Sequence, residues 1–160
     1  MSDAGSTVVI GLGNVILSDD GLGVHAVRRL RERQAIAKDV ELIEGGTAGL
    51  LLLPSLADAR RAIVVDAIDV GGVPGTLTRL DGRDWMSAFS IRMTPHEVAL
   101  EDLLGAAQLT GAWPDELVLL GAQPASIALG TEPTRAVAAA IDALVNAIVS
   151  QLDAWEAVCA

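Results

Sequence analysis

Asp20, Asp66 and His96 are the side chains of this 160-residue sequence best suited to engage a metal ion. Asp20 follows a glycine-containing loop, Asp66 closes the apolar run Ala62-Ile63-Val64-Val65, and His96 lies in the helix start Thr94-Pro95-His96-Glu97. Two carboxylates and one imidazole supply hard and borderline donors with room left for water, a set that suits a divalent cation in an open site. Each residue also has a plainer role available. Asp20 stands where a helix N-cap would stand, before Leu22, Val24, Val27 and Leu30. Asp66 could cap a loop, although a charge at the tip of an apolar strand is costly unless paired or functional. His96 could be a surface residue in a first turn. A helix N-terminus nevertheless disfavours imidazolium and keeps the ring neutral, the form that binds metal.

Other chemistries fit less well. Gly11-Leu12-Gly13-Asn14 follows a strand, but the third glycine of a dinucleotide fingerprint would fall at Ile16. No Gly-Lys-Ser/Thr triplet of a phosphate-binding loop occurs. His96-Glu97-Val98-Ala99-Leu100 begins like a zinc-peptidase helix, yet Leu100 stands where the second histidine is needed. No serine sits in a G-x-S-x-G elbow, and His25 and His96 are the only histidines, which argues against a Ser–His–Asp hydrolase. His25, inside the first helix, is expected to be structural. Gly45-Gly46-Thr47-Ala48-Gly49 has two readings of equal weight. Gly45 or Gly46 could take a positive φ while Thr47 caps a helix, or the segment could be an open backbone surface for a peptide or a metal-bearing partner.

The elements that would carry these residues alternate between strand and helix. Thr7-Val8-Val9-Ile10-Gly11-Leu12 predicts a buried first strand, followed by a loop over 13–19 and a helix whose far end carries Arg28, Arg29, Arg31 and Arg33, as its dipole prefers. Val40-Glu41-Leu42-Ile43 predicts a second strand, residues 48–57 a leucine-rich helix, and Ala62-Ile63-Val64-Val65-Asp66 a third strand. Residues 71–75 read as a turn and 76–80 as an edge strand. Thr94 caps the next helix, with Pro95 at its first position, Glu97 completing a capping box, and Leu100, Leu103, Leu104 and Ala107 on its buried face. Residues 116–120 predict a fifth strand. The last helix starts near Thr131 and buries Val137, Ile141, Leu144, Val145, Ile148, Leu152 and Trp155. This order predicts a single α/β domain over 1–160, three-layered α/β/α, with a mostly parallel, twisted, five-stranded sheet, one antiparallel edge strand, and a flexible N-terminus at 1–6. Ligands of such folds collect at the carboxyl ends of the strands, where strand order switches.

Composition narrows the partners. Hydrophobic residues make up 51% and charged residues 20%, while aromatics are limited to three Trp and one Phe, so the core is built from Leu, Ile, Val and Ala. A net charge of −10 argues against nucleic acid, which needs clustered Lys and Arg, and would favour a basic partner. The N-terminus lacks the charged and apolar regions of a signal peptide, the apolar runs are too short or interrupted to span a bilayer, and Cys159 has no second cysteine to pair with. The cytoplasm is the expected compartment, with no membrane partner.

Taken in order, these segments resemble the [NiFe]-hydrogenase maturation proteases. Gly11-Leu12-Gly13-Asn14 with Ser18-Asp19-Asp20-Gly21-Leu22-Gly23-Val24 is similar to the opening signature of that family. Gly45-Gly46-Thr47-Ala48-Gly49, Val65-Asp66-Ala67, Pro74-Gly75, Pro95-His96 and Gly121-Ala122-Gln123-Pro124 match later segments at similar spacing, from about Val8 into the last helix. The resemblance implies an endopeptidase that removes a C-terminal extension from a [NiFe]-hydrogenase large-subunit precursor once nickel is inserted. It also implies that Asp20, Asp66 and His96 are the metal-binding and catalytic set. The nickel would be carried by the substrate, leaving the free protein metal-poor. Glu44 departs from the family, whose members often have Asp before the double glycine.

Two other classes compete with this expectation. A self-sufficient metallohydrolase would hold its metal tightly and cleave small peptides, and a non-catalytic chaperone or nickel carrier would bind the precursor without shortening it. Gly45, Gly46 and Thr47 are candidate substrate contacts. Trp85, Met86, Phe89 and Met93, expected in a loop before His96, read either as an exposed apolar patch for the partner, the favoured reading, or as part of the core.

Overall fold

Side-chain alternation along the strands divides the core into two halves. Val9, Ile63, Val65, Val118 and Leu120 pack on one side of the sheet, and Val8, Ile10, Ala62, Val64, Leu117 and Leu119 on the other. Both faces of the central strands are apolar, as a sheet covered on both sides requires. The computed structural model describes residues 6–33, 36–89 and 98–159. In chain order the elements are β1 (Thr7–Leu12), α1 (Leu22–Arg33), β2 (Val40–Gly46), α2 (Leu53–Ala57), β3 (Arg61–Ala67), β4 (Leu77–Asp81), α3 (Trp85–Phe89), α4 (Val98–Thr110), β5 (Glu116–Ala122) and α5 (Arg135–Cys159). Two 3-10 turns, Ser18–Gly21 and Gly49–Leu52, lead into α1 and α2.

The five strands lie in the order β2-β1-β3-β5-β4, parallel except for β4, which runs antiparallel to β5 at the edge. Helices α1 and α5 cover the first half of the core, while α2 and α4 cover the second. The chain leaves β1 toward β2 on one side and returns to β3 on the other. The sheet therefore has its topological switch point between β1 and β3, where ligands of doubly wound folds bind.

Helix α1 reaches this switch point through two glycines. A Cβ on Gly23 would lie 2.1 Å from Val65 O and 2.4 Å from Leu12 O, and one on Gly11 would lie 2.2 Å from Gly23 O. Any side chain at either position would push the helix off the strand ends.

Several sequence expectations change in detail. The helix expected over 48–57 is split, because Pro54 lacks the amide hydrogen needed inside a helix and fits only a first turn; α2 therefore restarts at Leu53 behind the 3-10 turn. Helix α5 begins at Arg135 rather than near Thr131. Pro133 disfavours helical geometry in the residue before it, and the Thr134 amide is taken by Asp19. Trp85 and Met86 lie on α3 rather than in a loop; Trp85 is buried in the core, whereas Met86 is exposed. Ser6, expected within the flexible N-terminus, donates from Oγ to Asp58 O at 2.6 Å, and its carbonyl accepts from Arg60 N. Residues 1–5, Met93 and the Thr94-Pro95-His96-Glu97 helix start lie outside the described residues. The arginines of α1 do more than meet its dipole. Arg28 and Arg31 pair with Glu44, Arg29 with Glu32, and Arg29 and Arg33 with Asp142 of α5.

Candidate active site at the β1–β3 switch point

Asp20 belongs to the 3-10 turn Ser18–Gly21 at the carboxyl end of β1 and is only 7% exposed. It does not cap α1, as its position before the apolar stripe suggests it might. The turn intervenes, and the Asp20 carboxylate bends back, where Oδ2 accepts from Asn14 N at 2.9 Å. Asp66 stands on β3 and is 5% exposed, with Oδ1 accepting from Ala67 N at 2.8 Å. It shares the parity of Ala62 and Val64, so it falls on the face of the sheet that α4 covers. Asp20 and Asp66 thus occupy the carboxyl ends of adjacent parallel strands, flanking the switch point. Buried carboxylates in such a setting demand a cation or hydrogen-bond donors.

His96 lies outside the described residues, and among the described residues no three His, Cys, Asp or Glu side chains gather as a metal site. The helix that follows it is described. Ala99, three residues downstream, packs on Gly49, where an added Cβ would lie 3.7 Å from Ala99 Cα. Gly49 opens the 3-10 turn beyond β2, so α4 approaches the sheet at the same carboxyl end.

The Gly45-Gly46-Thr47 segment is tied to the loop that carries Asp20. Gly11 pairs with Glu44 and Leu12 with Gly46, so Gly45 forms a bulge, and Gly13 N donates to Gly46 O at 3.0 Å. Gly46 takes the positive φ expected there (54°). Thr47 does not cap the following turn. Ala48 stands at the cap position instead, where its methyl group offers no acceptor, and its backbone N donates to Gly45 O at 3.0 Å. Thr47 is exposed at the rim. Glu44 directs its carboxylate to Arg28 and Arg31, both at 3.0 Å.

Two side chains that build the surroundings were not singled out as site residues in the sequence. Asp19 is fully buried and accepts hydrogen bonds from Ala125 N, Ser126 N, Thr134 N and Thr134 Oγ1. Burial pushes its pKa up, but these donors, Thr134 foremost, outweigh that and hold it below the usual aspartate value. Gln123, also buried, accepts from Val70 N at 2.9 Å and Gly72 N at 3.1 Å and donates to Asp69 Oδ1 at 2.8 Å. It thereby shapes the loop that follows Asp66. The available signals were the Asp19-Asp20 doublet ahead of an apolar helix and the glutamine closing an apolar strand. His25, expected to be structural, lies in α1 with Nε2 buried and without a partner among the described residues. Burial lowers its pKa and Arg28 lowers it further, with Glu132 opposing.

The rim around this site is apolar as well as acidic. Ile16, Leu50, Leu51, Val70, Val73 and Leu129 are exposed large hydrophobic side chains, all in the connections, the 3-10 turn Gly49–Leu52 included, that follow the carboxyl ends of the strands.

Comparison with known proteins agrees with this architecture. A model of the hydrogenase maturation protease family matches residues 24–151. The chain is 40% identical over 151 residues to the hydrogenase expression/formation protein HupD of Rhodobacter capsulatus, covering 92% of this chain and 71% of that protein. It is 36% identical over 130 residues to the hydrogenase 2 maturation protease of Escherichia coli, covering 79% of each. The solved structure of the hydrogenase maturating endopeptidase HybD from E. coli matches with a TM-score of 0.83 at 32% identity over 92% of both chains.

Proposed function

Because the chain belongs to the hydrogenase maturation protease family, we propose that it is the endopeptidase that removes the C-terminal extension of a [NiFe]-hydrogenase large-subunit precursor after nickel insertion, reading the bound nickel through Asp20, Asp66 and His96. The observation that carries this reading is the pair of buried carboxylates on either side of the β1–β3 switch point.

Nickel enters as part of the substrate, held by the precursor. Asp20, Asp66 and the His96 ring take open positions on it, and this contact aligns the scissile bond with the site. An ion so held supplies Lewis acidity to a carbonyl or to an attacking water. The protein contributes orientation. The Asn14 amide fixes one oxygen of Asp20, the Ala67 amide fixes one of Asp66, and the low-polarity surroundings strengthen the attraction of both for a cation. A precursor without nickel brings no positive charge to offset two desolvated carboxylates, so docking at the rim is disfavoured and cleavage becomes conditional on metal insertion. The exposed apolar side chains of the rim supply the remaining affinity for a folded subunit. Of the candidate substrate contacts Gly45, Gly46 and Thr47, Gly45 is buried against Leu12 and Leu52, so the proposed approach of a peptide to the backbone runs along Gly46 and the exposed Thr47.

The test is the mass of a precursor subunit before and after incubation with the protein. Nickel-loaded precursor loses its tail and nickel-free precursor keeps it. Undiminished cleavage by His96→Ala removes His96 from the site, and efficient cleavage of nickel-free precursor removes metal gating. A precursor that is bound but never shortened identifies an escort protein instead.

A further inference from the structure

The residue before Asp20 is bound more elaborately than Asp20 itself. Asp19 Oδ2 accepts from Ala125 N at 2.8 Å, Ser126 N at 3.1 Å and Thr134 Oγ1 at 2.8 Å, and Oδ1 accepts from Thr134 N at 2.6 Å. All of these donors lie on the connection from β5 to α5. The backbone of the same turn joins that connection as well, through Asp19 N to Ser126 O at 3.1 Å, Ser18 N to Gly130 O at 2.9 Å and Ser18 Oγ to Ala128 O at 2.7 Å. Ser18 sits at φ 51°, a conformation that non-glycine residues avoid, so the turn is held in shape by its surroundings rather than by its own preference.

We propose that Asp19 is a positioning residue, which fastens the 3-10 turn to the β5–α5 connection and so sets the direction of the neighbouring Asp20 carboxylate. Successive residues of a 3-10 turn point about 120° apart. With Asp19 locked into the connection, Asp20 is sent toward Asn14 and the switch point. Only a carboxylate of this length offers acceptors on both oxygens and no donor. Asparagine would turn an NH2 group toward an N–H or O–H that needs an acceptor. The inference rests on the reading of Asp20 as a nickel contact.

The experiment compares full-length Asp19→Asn, Thr134→Val, Thr134→Ser and Asp20→Asn with wild type on nickel-loaded precursor, well below each melting temperature. A ligand displaced by about 1 Å costs on the order of 100-fold in rate. Asp19→Asn and Thr134→Val are therefore expected to lower kcat/KM for nickel-loaded precursor by roughly 10- to 100-fold, and Thr134→Ser, which keeps the hydroxyl, is expected to restore it. A second readout uses nickel ions alone. Paramagnetic broadening of the Asn14 amide signal should need about tenfold more nickel in Asp19→Asn than in wild type, a shift equivalent to tenfold weaker binding. Wild-type kcat/KM and nickel response in a folded Asp19→Asn protein overturn the proposal. If Asp19→Asn does not fold, the contrast between Thr134→Val and Thr134→Ser decides, and equal activity of the two overturns it. Normal processing by Asp20→Asn would instead sink the underlying reading of Asp20, whatever Asp19 does.

Discussion

Gly23 of α1 rests directly on Val65 of β3, with room for no atom between the glycine Cα and the Val65 carbonyl oxygen. Val65 precedes Asp66, and Gly23 follows the turn that holds Asp20, so this contact fixes how close the two acidic positions come. Gly23→Ala inserts a methyl group where a Cβ would stand 2.1 Å from Val65 O. Overpacking of this kind typically costs about 1–3 kcal/mol. The expected outcome is a lower urea midpoint together with a loss of precursor cleavage greater than the unfolded fraction accounts for. Cleavage that simply tracks the folded fraction would show that the contact matters for stability alone.

Asp66→Asn separates charge from shape. The Asn side-chain oxygen still accepts from Ala67 N, as Asp66 Oδ1 does at 2.8 Å, while the buried negative charge disappears. Cleavage of nickel-loaded precursor should fall by about 100-fold or more, in keeping with the loss of a charged group acting at the reacting centre. A variant that cleaves normally excludes Asp66 from the site.

The apolar rim predicts a binding defect without a catalytic one. Leu51 is 82% and Leu129 83% exposed, on loops that follow β2 and β5. Leu51→Ser and Leu129→Ser should each raise KM for the precursor by up to about tenfold, the usual scale of a moderate interface contact. Thermal stability and kcat should be unchanged. If KM is unaffected by both, the precursor docks elsewhere.

His25 predicts an acid-side weakness. In the folded protein its Nε2 is buried without a partner among the described residues, and burial with Arg28 depresses the pKa, so the neutral ring is favoured. The unfolded chain takes up a proton near the usual histidine value of about 6.5. Stability is therefore full above that pH and declines as pH falls toward the lowered folded value, because the unfolded state binds more protons there. Urea midpoints measured at pH 7.5 and 5.5 should diverge in wild type and converge in His25→Leu. Equal divergence in both proteins would assign the acid sensitivity to other groups.

Much of this architecture could be read from the chain. The β-branched runs at Val8-Val9-Ile10 and Ile63-Val64-Val65 mark strands buried on both faces, the first followed closely by Gly13 and the second by Asp66. Asp66 is legible as an acid closing an apolar run, and the structure buries it next to the last residue of β3. What escaped the sequence depends on partners distant in the chain. Asp19 is separated from Thr134 by more than a hundred positions, and no local pattern says that the first acid of a doublet turns inward to the β5–α5 connection while the second turns to Asn14. The same holds for Gln123, whose role appears only once the loop after β3 is folded over it. Trp85 looked like a partner contact because sequence alone gives no measure of how α3 lies on the core.

The stretch from Gln123 to Thr134 carries none of the three residues assigned to nickel, yet Gln123 shapes the loop beyond Asp66 and Asp19 is latched to the remainder. It joins the loop after Asp66 to the turn that carries Asp20, so one added residue would shift Asp20 relative to Asp66 while leaving every acceptor atom of both in place.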